Sequence, residues 1–141
     1  MNISAFADLL ASRGLRLLPG SHAVPVEVLA ELPDGTVAHF AARGRTLRLA
    51  LHSPAALHAI TIPTECGCGR HHEPSGPQRT GLRAGAVPLV EHTIDGELAF
   101  GWTGHEAGLL RLADAASYFF ALLDRVGDDA RSRARELVGV A

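Results

Sequence analysis

The chain has 141 residues, 47% of them hydrophobic, and its 13 basic and 15 acidic residues leave a formal net charge of −2. This hydrophobic content argues against a disordered chain, and the near-neutral charge argues against nucleic acid as the default partner. The length predicts a single domain over residues 1–141, which can bury roughly two thirds of the surface that its unfolded chain exposes. We find no membrane-spanning apolar run and no signal-peptide pattern, so we expect a cytoplasmic protein with no membrane partner.

The N-terminal part of the chain predicts a helix followed by a three-stranded meander. Asn2 can cap a helix, and Gly14 suits the left-handed residue that follows a helix end. Three segments then alternate apolar and polar residues as half-buried strands do, and turn residues such as Pro33-Asp34-Gly35 separate them. The predicted helix covers residues 3–13, and the predicted strands cover residues 24–32, 37–42 and 46–52.

The second half of the chain predicts a short helix, a hairpin and two further helices. A Ser-Pro pair is typical of a helix start, and an Asp-Gly pair between β-rich runs is a strong hairpin signal. Thr103 and Glu106 form a capping box before a long amphipathic segment, which Gly127 is expected to end. The predicted elements are a short helix at 55–59, hairpin strands at 87–94 and 97–102, a long helix at 105–126 and an appended C-terminal helix at 128–139.

These elements predict an α+β fold with an antiparallel sheet of about five strands, made of the meander plus the hairpin, between an N-terminal helix and a long C-terminal helix. Their order resembles the αβββαββα layout of the type III secretion chaperone-like fold. The resemblance rests on residues 3–13, 24–52, 87–102 and 105–126 and on no sequence motif. It implies a dimer that binds other polypeptides and performs no chemistry. The Cys/His loop and the final Arg-bearing helix depart from that layout.

Residues 64–85 are rich in Gly, Pro, Arg and His, with almost no apolar residue, and are too long for a plain connection. This segment holds both cysteines and two of the eight histidines, namely Cys66, Cys68, His71 and His72. Thiolate sulfur and neutral imidazole nitrogen are the ligands that zinc prefers, and the intervening glycines let the chain curl round an ion. We therefore predict a metal-binding loop insertion at 64–85 with zinc as its cofactor.

Adjacent histidines usually point apart, so we expect Cys66, Cys68 and one of His71 or His72 to bind the metal, with a fourth ligand from elsewhere. The candidates for that place are His58, His92 and Glu73. Two other interpretations stay open: the thiols and imidazoles share a polar loop by coincidence, or the cysteines form a strained redox disulfide, which a reducing cytoplasm disfavours. Four histidines are expected to be solvated, namely His22, His39, His52 and His105.

The first hypothesis for function is a non-catalytic protein-binding or adaptor module, whose metal orders the loop and whose partner is another polypeptide or a second copy in a homodimer. An alternative is a metal-dependent enzyme, in which an open coordination position activates water and Glu65 or Glu73 is the general base. A second alternative is a metal sensor or carrier, whose thiolates also admit copper(I) or nickel. Nucleic acid is disfavoured as a partner because acidic residues nearly balance the C-terminal arginines.

Overall fold

The computed structural model describes residues 1–23, 25–61 and 78–139. Over these ranges the chain is an α+β fold with an antiparallel sheet, an N-terminal helix and a C-terminal helix, as predicted. No helix in the described ranges is both long and apolar enough to cross a membrane. The elements are α1 (Ile3–Ser12), β1 (Arg16–Leu17), β2 (His22–Ala23), β3 (Val26–Glu31), β4 (Val37–Arg43), β5 (Thr46–His52), β6 (Leu57–Thr61), β7 (Gln78–Leu82), β8 (Val90–Asp95), α2 (Gly96–Phe100) and α3 (Leu112–Gly139).

Helix α1 begins and ends as the sequence predicts. The Asn2 side chain accepts a hydrogen bond of 2.8 Å from the backbone N–H of Ala5, which satisfies a donor that the first turn leaves without a partner. At the other end, Gly14 has a φ of 77°, and the N–H of Leu15 donates to the carbonyl of Leu10 at 3.0 Å. This pattern is a Schellman cap, which requires a left-handed residue and therefore favours glycine.

The main sheet is antiparallel throughout, with strand order β1-β3-β4-β5-β8 and with β2 also pairing with β3. The predicted meander is present as β3, β4 and β5. The registers place Leu29 opposite His39, and His39 opposite Ala50. Residues directly opposite each other share a face of the sheet, so these pairings assign each side chain to one of two layers.

The predicted hairpin at residues 87–102 is wrong, because only its first strand forms. That strand is β8, which pairs with β5, and the chain then enters α2. The Asp95 carboxylate accepts from the N–H of Glu97 at 2.9 Å, so Asp95 caps a helix and does not start a tight turn. Gly101, with a φ of 74°, ends α2 after little more than one turn.

Two other boundaries differ from the prediction. The short helix at 55–59 is one 3-10 turn, Pro54–Ala56, and the chain then extends as β6. The predicted break at Gly127 is also wrong: residues 128–139 are helical, but they continue α3. A glycine inside a helix costs only about 1 kcal/mol relative to alanine, which a packed helix tolerates. The element order therefore departs from the αβββαββα layout.

The long helix begins later than residue 105. The carboxylate of Glu106 accepts from the backbone N–H groups of Thr103 and Gly104, each at 2.7 Å, and the chain then makes a 3-10 turn, Ala107–Leu109. Glu106 therefore caps a turn, and α3 starts at Leu112.

The sheet is covered on both faces. On one face α1 and α3 enclose the main core, in which Phe119 packs edge-to-face against Phe6 at 5.9 Å and against Phe40 at 5.8 Å. On the other face a smaller cluster of Leu18, Leu29 and Val37 is covered by Leu57 of β6 and Leu82 of β7. Strands β6 and β7 form a separate two-stranded ribbon, which makes a third layer.

Candidate functional site

The β6-β7 ribbon is the stem of the predicted metal loop. Its ladder runs from the pair Leu57 and Leu82 to the pair Thr61 and Gln78, so it holds residues 61 and 78 side by side. The candidate ligands lie between these two positions, outside the described residues. They are Cys66, Cys68, His71, His72 and Glu73, and the other candidate general base, Glu65, lies there too.

The stem is fastened to the sheet by packing and by backbone hydrogen bonds. Besides the apolar contacts of Leu57 and Leu82, the N–H of Thr80 donates to the carbonyl of Pro19 at 2.8 Å. The N–H of Arg83 donates to the carbonyl of Ala56 at 2.7 Å, which closes the ladder at the end away from the loop. The two strands that flank the loop are therefore held against the domain.

A polar cleft of about 470 Å³ lies between β7 and the sheet. Its charged centre is Glu27, whose carboxylate pairs with the guanidinium of Arg43. The carboxylate also accepts from Nε2 of His39 at 3.3 Å, and Nε2 of His22 lies 3.8 Å from it. The other ring nitrogen of His22 donates to the carbonyl of Pro25 at 2.7 Å. The carboxylate of Glu27 therefore lies within 4 Å of one arginine and two histidines.

The proton positions in this cleft follow from its hydrogen bonds. Burial raises the pKa of Glu27, but the hydrogen bonds from Arg43 and His39 outweigh burial and hold the pKa below its ordinary value. Burial also lowers the pKa of His39, more than the neighbouring carboxylate raises it. A neutral His39 must carry its proton on Nε2 to donate to Glu27, so Nδ1 is a bare acceptor. That nitrogen is buried and has no hydrogen-bond partner.

His52 is buried in the layer between the sheet and the ribbon, although the sequence predicts it to be solvated. The residue is only 2% exposed, and neither ring nitrogen has a hydrogen-bond partner. Burial lowers its pKa, and repulsion from His39 and Arg48 lowers it further against the opposing effect of Glu91. The registers of β4 and β5 place His52 opposite Val37 and His39 opposite Ala50, so the two histidines are diagonal neighbours on one face.

The sequence pattern alone did not predict the burial of His52 or the partial burial of His39, because one face of the meander was expected to be exposed to solvent. A usable signal was present: Val37, Ala41 and Ala50 are apolar residues on the face that also carries His39 and His52. A strand with apolar residues on both faces is typical of a sheet covered on both sides.

The other histidine candidates are dispersed. His58 lies on β6 with a buried Nδ1 that has no partner. His92 lies opposite the core residue Leu49 in the β5-β8 register, so its side chain is on the face of the sheet that the helices cover. There its Nε2 lies against the carboxylate of Asp129 of α3. The described side chains include no group of three or more His, Cys, Asp or Glu arranged to hold a metal ion.

Comparison with protein-family models, with curated proteins and with solved structures finds no match to this chain.

Proposed function

We propose that the protein is a small zinc-binding module without catalytic activity, which binds another polypeptide and whose metal orders the part of the predicted 64–85 loop that precedes strand β7. The observation that carries the proposal is the β6-β7 ladder. It places the two ends of a segment with two thiols and two imidazoles at neighbouring positions on a packed stem. A hairpin of this kind reduces the entropy lost when ligands from one short segment converge on an ion.

The chemistry of the ligand set favours a structural metal. Cys66, Cys68, His71 and His72 lie close together in sequence, as the ligands of structural zinc sites commonly do. Two thiolates transfer charge to zinc and make it a weaker Lewis acid, which disfavours activation of water. A closed four-ligand site instead contributes directly to the stability of the segment that it ties together.

Exposed apolar side chains support the polypeptide-binding half of the proposal. Val87, Leu98 and Leu109 are 82%, 87% and 77% exposed, and Leu89 and Phe100 are also exposed. Single exposed apolar residues are ordinary, but four of these five lie within five residues of an end of β8 along the chain. Groups of exposed apolar side chains are typical of surfaces that bind another protein.

Elemental mass spectrometry of the purified protein tests the metal half. We expect about one zinc per chain in the wild type, and none in the Cys66→Ser/Cys68→Ser double variant, which should also unfold at lower temperature. The matched control is Ser75→Ala, a loop substitution that removes no candidate ligand. Single His71→Ala and His72→Ala variants identify which imidazole binds, since loss of a ligand weakens zinc affinity far more than loss of a neighbour.

Zinc content and thermal stability that are the same in the double variant as in the wild type would refute the metal site. Cobalt(II) substitution then separates the structural from the catalytic alternative. A tetrahedral spectrum that is unchanged by added anions indicates four protein ligands, whereas an anion-sensitive spectrum indicates an open position and favours an enzyme.

A further inference from the structure

The two edges of the main sheet are built differently. At one edge β1 and β2 are two residues each, and Pro19 and Gly20 lie between them. Short strands and proline are common devices against unwanted edge pairing. At the other edge β8 pairs with β5 in one unbroken register over six residues. It contains no proline, and no described strand pairs with its outer side.

The hydrogen bonds between β5 and β8 show which backbone groups of β8 point away from β5, toward the outer edge of the sheet. The N–H of Gly96 donates to the carbonyl of Arg45 at 2.8 Å, and this pair continues the β5-β8 register. Because inward and outward groups alternate along an antiparallel strand, Val90, His92 and Ile94 direct their backbone groups toward β5. Glu91 and Thr93 therefore direct their backbone N–H and C=O groups outward, as a row of donors and acceptors available to another strand. Asp95 directs its N–H outward, but its carbonyl belongs to the first turn of α2.

A second copy of β8 can pair antiparallel with this row, and side-chain charge decides between the two central registers. In an antiparallel pair, residues that lie opposite each other share a face of the sheet. When the two strands are identical and related by a two-fold axis, one residue must therefore lie opposite its own copy, and the axis passes between these two residues. An axis at Thr93 places Glu91 opposite Asp95 of the other copy, and like charges in that position are unfavourable. An axis at His92 places Glu91 opposite Thr93 and Val90 opposite Ile94.

Exposed apolar residues lie near both ends of β8. Val87 and Leu89 precede β8, and Leu98 and Phe100 follow it. In an antiparallel pair the segment before β8 in one copy lies beside the segment after β8 in the other. Both ends of the strand pair therefore gain apolar contacts, which a strand edge alone does not supply.

We propose that β8 pairs with β8 of a second copy about an axis at His92, which joins the two sheets into one. The proposal rests on the polypeptide-binding half of the proposed function and names the partner, and it does not require the metal.

Sedimentation velocity over roughly 1 to 100 µM tests the pairing. The wild type should sediment at twice the monomer mass of 14.8 kDa. Thr93→Pro removes one outward-pointing backbone N–H per copy, a group that makes no hydrogen bond to β5. We expect it to raise the dissociation constant of the dimer at least about tenfold. Leu98→Glu should also weaken it. Leu109→Glu is the matched control, because Leu109 is equally apolar and exposed but lies away from β8, and it should behave as wild type.

Cross-linking tests the register. Opposite residues in a pair without mutual hydrogen bonds approach closely enough for a disulfide. The His92→Cys variant should therefore form a disulfide between the two introduced thiols on oxidation, mapped by peptide mass spectrometry. Thr93→Cys should not, because its two copies are offset along the strands. A wild type that remains monomeric, a Thr93→Pro dimer as tight as wild type, or a cross-link at position 93 instead of 92 would overturn the proposal.

Each sample is also run with a zinc chelator. A dimer that survives chelation and is sensitive to Thr93→Pro supports β8 pairing whatever the fate of the metal site. A dimer that chelation abolishes and Thr93→Pro leaves intact assigns the contact to the metal loop, and refutes β8 pairing.

Discussion

Replacing His52 by leucine should make the protein more stable, although the residue is among its most buried. The ring of a neutral histidine carries one N–H donor and one bare acceptor nitrogen, and in His52 neither has a hydrogen-bond partner. In the unfolded chain both nitrogens bind water. Folding therefore removes two polar groups from water without replacing their hydrogen bonds, and leucine of similar volume avoids this cost.

The size of the effect follows from these two nitrogens. Each buried polar group without a partner costs about 1 to 3 kcal/mol, whereas a change of side-chain shape in a packed layer costs up to about 1.5 kcal/mol. The two nitrogens together cost about 2 to 6 kcal/mol, so after the shape cost we expect His52→Leu to raise the free energy of unfolding by at least about 0.5 kcal/mol at pH 8. His105→Leu, a change at an exposed histidine, should alter it by less than about 0.5 kcal/mol.

The effect should grow as the pH falls. Burial lowers the folded-state pKa of His52, and of His39, below the unfolded value near 6.5. Below pH 6.5 the unfolded chain therefore binds protons that the folded chain excludes. The contribution of these histidines to the free energy of unfolding is complete above pH 6.5, and it is lost as the pH falls from 6.5 toward their folded-state pKa values. His52→Leu removes one of the two contributions, so the variant should lose stability more slowly.

Urea denaturation followed by circular dichroism at intervals from pH 8 to about pH 5 measures both quantities. The prediction has two parts: a higher midpoint for His52→Leu at pH 8, and a shallower loss below pH 6.5. A lower midpoint at pH 8 with the acid slope of the wild type would refute the reasoning, because it would mean that the ring nitrogens of His52 are hydrogen-bonded in solution.

Three substitutions test the packing around the sheet, each by the same denaturation assay. Gly96→Ala should destabilise the protein by more than about 2 kcal/mol, because an added Cβ would lie 2.1 Å from a ring carbon of Trp102 and 2.4 Å from the backbone carbonyl oxygen of Arg45, and a wild-type midpoint would contradict this close packing. Phe119→Ala should cost about 3 to 5 kcal/mol, since this side chain is fully buried between two other rings, and a cost below 1 kcal/mol would contradict that packing. Glu106→Ala should cost about 1 kcal/mol through the loss of two backbone hydrogen bonds, with Glu106→Gln largely restoring stability.

Local sequence is sufficient to predict the parts of the fold that depend on neighbouring residues. The cap at Asn2, the left-handed Gly14 and the alternation of β3, β4 and β5 were all predictable, because each depends on groups within a few positions along the chain. The α+β class followed from these same local patterns. The ligands in the 64–85 loop were identified by residue type and spacing alone, and they remain a prediction.

Features that depend on residues distant in sequence required the tertiary structure. The Asp95-Gly96 pair can start either a hairpin or a helix, and Trp102 packing against Gly96 accompanies the helix. Strands β6 and β7 pair across the loop, and their ribbon packs on Leu29 of β3 and Val37 of β4, the sheet face that also carries His39 and His52. His52 is buried on that face, and the side chain of His39 is mostly buried. Local sequence cannot show which face of a strand a distant segment covers, so the burial of these histidines and the open edge of β8 emerge only in the folded chain.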